Sequence, residues 1–197
     1  MASRKPLTVS EPRWNQLYAT AAAQEGHFTT AQAAAAGYSP QLLVKYLRNG
    51  RVQRVRRGVY RLVHFPPGDN EDLVIIWLWS GGVGVFSHET ALMLHQLSDA
   101  LPAKVHLTVP TTWKTRRLRV PPGVVLHYQD LASDDRTWAG AVLVTSASRT
   151  MIDCAAAKVS PDLVRQAIDQ GTERGLFTTE MVKPAQDYLR TFVSDGG

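Results

Sequence analysis

Apolar residues near the start of the chain recur at intervals of three and four, which is the spacing of one helix face. This stripe predicts a first helix that starts near Glu11, has Pro12 in its first turn and ends before Gly26. Residues 1–10 are expected to form a tail ahead of it. The stripe consists of Trp14, Leu17, Tyr18 and Ala21.

A short alanine-rich helix is predicted over residues 31–36, and a third helix follows Ser39. Ser39 is a good helix cap, and Pro40 suits the first helical position because its missing N–H would have no partner there. The periodicity of the third helix turns Leu43 and Leu47 toward a core. It turns four side chains outward, namely Gln41, Val44, Lys45 and Arg48.

A basic β-hairpin is predicted directly after the third helix. Val52 and Val55 supply the inward positions of its first strand. Tyr60 and Leu62 return on the second strand after a turn at Gly58. The hairpin contains five arginines and no acid, so we expect strong repulsion unless an anionic partner binds; a solubilising surface is the simpler alternative. The five are Arg51, Arg54, Arg56, Arg57 and Arg61.

Helices followed by a hairpin in this order, over residues 26–62, are typical of a winged helix-turn-helix domain. Such a domain sets one helix in a DNA groove and a β-ribbon beside it. Glutamine can pair with adenine edges, and lysine or arginine with guanine or phosphate, so the outward face of the third helix suits a major groove. The arginines of the wing would contact backbone phosphates or the minor groove.

The charge distribution supports this interpretation. The formal net charge is +5, but residues 1–64 hold ten basic and two acidic residues, a net of +8. Residues 65–197 hold twelve basic and fifteen acidic residues, a net of −3. A basic first third beside a slightly acidic remainder indicates that the first part meets a polyanion.

The cysteine count and the lengths of the apolar segments indicate the compartment and the absence of membrane association. The single cysteine, Cys154, excludes a disulfide framework, so we expect a cytoplasmic protein in a reducing environment. The first residues lack the apolar segment of a signal peptide. The longest apolar run, over residues 73–79, is too short to span a bilayer, so no membrane partner is expected.

Residues 65–70 have the composition of a linker, which predicts a DNA-binding domain over 1–64 and a second domain over 69–197. The second domain should mix strands and helices. Strands are predicted over 105–109, 124–128 and 141–145; helices over 71–79, 87–97, 148–157, 161–174 and 178–192. The predicted fold class is therefore α+β, a winged helix-turn-helix followed by a mixed α/β C-terminal domain.

No metal, cofactor or catalytic residue is predicted. His88 and His95 are seven apart, whereas zinc motifs on a helix use a spacing of four, and nothing in the sequence places His106 and His127 near them. A metal-dependent nuclease needs clustered carboxylates and a nearby lysine, but the acids after residue 125 are scattered. The chain is therefore not expected to be an enzyme.

Three further features of the second domain have ordinary structural interpretations. Asp153 follows Arg149 by four residues, which predicts a surface ion pair on a helix. Cys154 is expected to be a small core residue. A basic loop is either a second nucleic-acid or partner contact or an exposed charged loop. Its residues are Lys114, Arg116, Arg117 and Arg119.

The chain resembles the AbiEi family of abortive-infection antitoxins, the antitoxin half of type IV toxin–antitoxin systems of phage defence. Residues 26–62 carry the winged-helix pattern GHFTTAQAAAAGYS…RRGVYRL. Residues 85–110 carry VFSHETALMLHQLS and HLTVP, and residues 143–155 carry LVTSASRTMIDCA. The resemblance extends over most of residues 12–180, and its first pattern is the most specific.

The resemblance implies a repressor of its own operon that binds repeats in double-stranded promoter DNA. It also implies an AbiEii-like nucleotidyltransferase toxin as partner, countered by the C-terminal domain with or without direct contact. The alternatives are a solitary winged-helix regulator and a nuclease-related protein that lacks a catalytic site. The implied DNA contacts are Ser39, Gln41, Lys45 and Arg48 on the helix and Arg54, Arg56 and Arg57 on the wing.

Overall fold

A computed structural model describes residues 12–193 of the chain. The predicted tail and the predicted helix start near Glu11 lie outside this range. The chain divides into two units between Ser80 and Gly81.

The first unit contains a three-stranded antiparallel sheet with its helices in winged helix-turn-helix order. The elements are α1 (Trp14–Ala22), β1 (His27–Thr29), α2 (Thr30–Ala35), α3 (Pro40–Arg48), β2 (Val52–Arg56) and β3 (Val59–Leu62). Strand β3 lies between β1 and β2 and pairs with both. The predicted winged helix is confirmed, and β1 is added to it.

Side-chain caps define where α2 and α3 begin. The Thr29 hydroxyl accepts the Gln32 N–H at 3.2 Å, and the Gln32 side-chain oxygen accepts the Thr29 N–H at 2.8 Å, which is a capping box. The Ser39 hydroxyl accepts the Leu42 N–H at 3.2 Å, with Pro40 at the first helical position as predicted. Each cap contributes on the order of 1 kcal/mol to helix stability.

One apolar cluster holds the winged helix together. It buries α1 through Leu17, β1 through Phe28 and α3 through Leu43, all at most 3% exposed. Ala33 is fully buried, and because alanine is small it lets α2 approach its neighbours closely. The predicted orientation of α3 is therefore correct.

Helix α4 (Glu71–Trp79) belongs to the first unit, although the sequence placed it in the second domain. The helix contacts β1 and β3. Arg61 on β3 donates from Nη2 to Glu71 Oε1 at 2.7 Å and to the Phe65 carbonyl at 3.0 Å. The segment over 65–70 is therefore an internal loop of the first unit, because this ion pair joins its two ends.

The second unit contains a five-stranded mixed sheet, with one helix between its first two strands and three helices after its last strand. The strands are β4 (Val85–Phe86), β5 (Val105–Val109), β6 (Val124–Tyr128), β7 (Arg136–Ala139) and β8 (Val142–Thr145). The helices are α5 (His88–His95), α6 (Ala147–Ala156), α7 (Pro161–Glu173) and α8 (Lys183–Val193), with 3-10 turns at Thr111–Thr115 and Glu180–Val182. The sheet order is β6-β5-β4-β8-β7, in which β5–β6 and β4–β8 are parallel pairs. The predicted α+β class is confirmed.

The core of the second unit lies among its helices. Leu92, Met151 and Val164 are fully buried there and bring α5, α6 and α7 together. Cys154 is also fully buried, as predicted for a small core residue. Within the described residues, no helix is long and apolar enough to cross a bilayer.

The predicted Arg149–Asp153 pair forms, but it is buried rather than on the surface. Arg149 Nε lies 2.8 Å from Asp153 Oδ1, and the two side chains are 13% and 7% exposed. Arg149 Nη1 also lies 3.0 Å from Asp135 Oδ2 in the loop before β7. Asp135 therefore lies against the helix face that the i,i+4 spacing had assigned to solvent.

Candidate nucleic-acid interface

The outward face of α3 is free of core contacts. Gln41, Val44, Lys45 and Arg48 are all exposed, as their spacing predicts. On the inner side of the same helix, Tyr46 makes an edge-on contact with the ring of Tyr38 at 5.5 Å between centroids. Burial, and then the nearby Tyr46, raise the pKa of Tyr38 to about 12, so its hydroxyl stays neutral.

The wing is a β-hairpin with a bulge near its tip. Arg54 pairs with Tyr60 and Arg56 pairs with Val59, so Val55 is the extra residue on its strand and is only half-buried. Gly58 makes the turn with a φ of +79°, which glycine adopts without strain. The bulge re-aims the arginines of the tip: Arg54 and Arg57 are exposed, and Arg56 is half-buried.

The turn of the wing is attached to the start of α2. The Thr30 N–H donates to the Gly58 carbonyl at 3.0 Å, and the Thr30 hydroxyl reaches the same oxygen at 3.4 Å. The tip therefore has a fixed position relative to the helices of the winged helix.

The basic side chains of α3 and of the wing tip have no acidic partners. Among residues 12–193, no carboxylate forms an ion pair with Lys45, Arg48, Arg54, Arg56 or Arg57. These five cations lie on two elements that follow one another in the chain, joined by a three-residue connection. The result is a cationic surface that an anion can approach.

The expectation for Arg61 was wrong. Arg61 is only 9% exposed, and Glu71 neutralises it from ten residues further along the chain. Burial raises the pKa of Glu71, but the hydrogen bond from Arg61 and the Gly68 N–H outweigh it, so the net pKa is lowered. The wing therefore presents four arginines to solvent and not five. The electrostatic repulsion expected among the arginines of the hairpin applies to those four.

The second basic cluster belongs to the second unit. Lys114, Arg116, Arg117 and Arg119 are all exposed. The Arg116 guanidinium lies 4.6 Å from the centroid of the Trp113 ring, which is a cation–π contact. Trp113 itself is buried, so Arg116 is held against the surface of its unit.

Three histidines of the second unit come together, although their spacing along the chain did not predict this group. His106 Nδ1 lies 3.0 Å from His127 Nε2, and the rings of His88 and His127 are stacked with centroids 3.7 Å apart. His95 is held elsewhere, with its Nε2 at 2.7 Å from the Thr145 carbonyl. Two of the three are brought together by the parallel register of β5 and β6, which places His106 and His127 on one face of the sheet.

Burial keeps this histidine cluster in the neutral form. It lowers the pKa of His88 to about 3, with smaller contributions from His127 and His106. Burial also lowers the pKa of His106, where the nearby Glu89 opposes the shift, and that of His127, where His106 adds to it. Neutral imidazoles are the form that binds metal ions.

The winged helix with its basic helix and basic wing places the chain among winged helix-turn-helix proteins. Residues 15–63 match the model of the family described as "Transcriptional regulator, AbiEi antitoxin". The match spans α1 to the end of β3 and confirms the resemblance for that segment. No curated protein matches the chain. Among solved structures, the chain is similar to the RV2827C protein from Mycobacterium tuberculosis, with 14% identity, a TM-score of 0.42, and coverage of 96% of this chain and 78% of that chain.

Proposed function

We propose that the chain is an antitoxin and the transcriptional autorepressor of a toxin–antitoxin operon. DNA binding lies in the winged helix of the first unit, and the antitoxin role lies in the second unit, which begins at Gly81. The observation that carries the first half is the set of five cations on α3 and the wing that have no carboxylate partner within residues 12–193, inside the segment that matches a transcriptional-regulator family. Double-stranded promoter DNA with repeats is the polyanion that this surface suits.

Helix α3 and the wing make different kinds of contact with DNA. On α3, Gln41 suits an adenine edge, Val44 a thymine methyl group, and Lys45 and Arg48 a guanine or a phosphate. Ser39 lies at the helix start, where its hydroxyl already accepts a backbone N–H and can still donate to a phosphate. The wing contributes phosphate or minor-groove contacts through Arg54, Arg56 and Arg57.

The DNA half is tested by fluorescence anisotropy with the full chain and a duplex from its own promoter. The expected result is tighter binding to the promoter than to a random duplex of equal length, with a steep loss of affinity as salt rises. Equal affinity for the two duplexes at physiological salt would contradict repressor function. The matching test in cells uses a promoter reporter. The variant Lys45→Ala/Arg48→Ala should no longer repress it.

The antitoxin half requires a separate readout. The partner proposed is an AbiEii-like nucleotidyltransferase toxin encoded beside this chain. Co-expression should rescue growth with the wild type and equally with a variant whose wing carries Arg56→Ala and Arg57→Ala. Rescue lost in that variant would assign the effect to repression rather than neutralisation. No rescue by either protein would favour a solitary winged-helix regulator.

A further inference from the structure

We propose that the second unit binds one divalent transition-metal ion of the zinc class through His88, His106 and His127. One ring nitrogen from each histidine lies within 4.8 Å of the other two. Zinc bound at about 2.0–2.1 Å to three imidazoles holds their nitrogens roughly 3.3 Å apart. The cluster therefore becomes a three-histidine site when the His88 ring turns its nitrogen toward the other two, and this inference does not depend on DNA binding.

The contact between His106 and His127 brings two potential ligand atoms close together. His106 Nδ1 and His127 Nε2 are 3.0 Å apart, with a ring proton of one shared with the lone pair of the other, and a metal ion would replace that proton. His88 stacks on His127, so its ring must rotate to bring its nitrogen lone pair toward the ion. A metal ion of suitable size would satisfy all three neutral rings at once.

The outer nitrogens of two rings already have partners of the kind that orient metal ligands. His106 Nε2 lies 3.5 Å from Glu89 Oε2. His88 Nδ1 lies 2.9 Å from the Ser87 hydroxyl, which also accepts the Thr108 hydroxyl at 2.8 Å. Histidine ligands usually donate their second N–H to such a carboxylate or oxygen, which fixes the tautomer. These contacts leave Nδ1 of His106 and Nε2 of His88 as the ligand atoms.

The histidines border an open depression, which leaves room for water as a fourth ligand, and Asp153 lies outside the group of three ligand atoms. His88, His127 and Asp153 line one open depression. Asp153 is only 6% exposed, and its Oδ2 has no hydrogen-bond partner among the described residues, although Oδ1 is held by Arg149. A buried carboxylate oxygen without a partner is rare and costly, so this side of the depression suits a water bound to the metal ion. Lys114 also lines the depression, but its side chain is exposed and water screens its charge.

The backbone at the site is strained in a way that fits a ligand role. His88 has a φ of +55°, which is uncommon for a residue other than glycine. Strained residues persist where the surroundings determine them, and they concentrate at binding sites. Here the strain sets the His88 ring against the two strand histidines at the first position of α5.

The test is a Co²⁺ titration of the tag-free full-length protein after chelation, followed by visible absorption. We expect intense tetrahedral d–d bands that saturate at one ion per chain and disappear when Zn²⁺ is added. The variants His106→Gln and His127→Gln should weaken binding by about 100-fold or more, and Glu89→Gln by about 10- to 100-fold. His64→Gln, at an exposed histidine of the first unit, should bind as the wild type does.

Circular dichroism of each metal-free variant checks that the fold is kept, and Glu89→Gln provides the test if a histidine variant fails to fold. Two results would overturn the proposal. One is the absence of tetrahedral bands when the wild type meets excess Co²⁺. The other is unchanged affinity in folded His106→Gln and His127→Gln proteins.

Discussion

Arg61 and Arg57 stand four residues apart in one hairpin, yet the structure uses them in opposite ways. Arg61 is buried and bonded to Glu71 and to backbone carbonyls, whereas Arg57 is exposed and has no acidic partner among the described residues. The same side chain therefore stabilises the fold at one position and remains an exposed cation at the other. What decides the role is whether the chain supplies a partner, and not the residue type.

The largest effect is expected when the Arg61 side chain is removed. Arg61→Ala leaves Glu71 without its counter-charge in a partly buried place and frees α4 from β3. We expect a loss of about 3–5 kcal/mol in the free energy of unfolding of the first unit. Urea unfolding followed by circular dichroism measures it. Arg57→Ala is the matched control and should stay within about 0.5 kcal/mol of the wild type; equal losses in the two variants would abolish the distinction.

The converse experiment removes exposed arginines and measures DNA binding. Arg56→Ala with Arg57→Ala should lower affinity for any duplex on the order of 50-fold near 0.1 M salt, because each lost phosphate contact removes about 0.9 from the salt slope. Anisotropy titrations over a range of salt concentrations give both quantities. An unchanged slope would show that the wing does not contact phosphates.

A finer test separates specific from nonspecific contacts on α3. Gln41→Ala should reduce discrimination between the promoter and random DNA by about 1–3 kcal/mol, the value of a good bidentate base contact. The salt slope should not change, because glutamine neutralises no phosphate. Equal losses on both duplexes would assign Gln41 to backbone contacts instead.

The smallest expected effect is a dependence of stability on pH. Burial raises the folded-state pKa of Glu71, but the hydrogen bonds from Arg61 and the Gly68 N–H and the charge of Arg61 together lower it further, so the net pKa is lowered. A lowered pKa contributes stability that is fully present above the unfolded value, near 4.5, and is lost as the pH falls through the folded value. Urea midpoints measured from pH 6 downward should fall less in Glu71→Gln than in the wild type; parallel curves would mean that another carboxylate dominates.

Much of the winged helix could be predicted because its signals are local. The cap at Ser39, the proline after it and the apolar face of α3 lie within one segment of sequence. Strands β5 and β6 were predicted over their exact ranges, because apolar residues bounded by turn signals mark them. Strands β1, β4 and β7 were not predicted, since two to four residues are too few to display an alternation.

The features that escaped prediction all depend on contacts between distant parts of the chain. The role of Arg61 depends on Glu71, and the place of α4 depends on that ion pair. The histidine cluster depends on the register of two parallel strands and on a helix that begins 18 residues before the first of its strand histidines. Ser87 precedes α5 as a cap should, but its hydroxyl bonds to Thr108 and His88 instead.

The hydrogen bond from Thr30 to Gly58 restricts how the sequence of the hairpin turn can vary in evolution. The peptide group at the hairpin turn is also the partner of the first residue of α2. An insertion or deletion in the turn would therefore shift the start of a helix as well as the wing. The length of the wing is therefore constrained by the fold, and variation at its tip is restricted to the exchange of side chains.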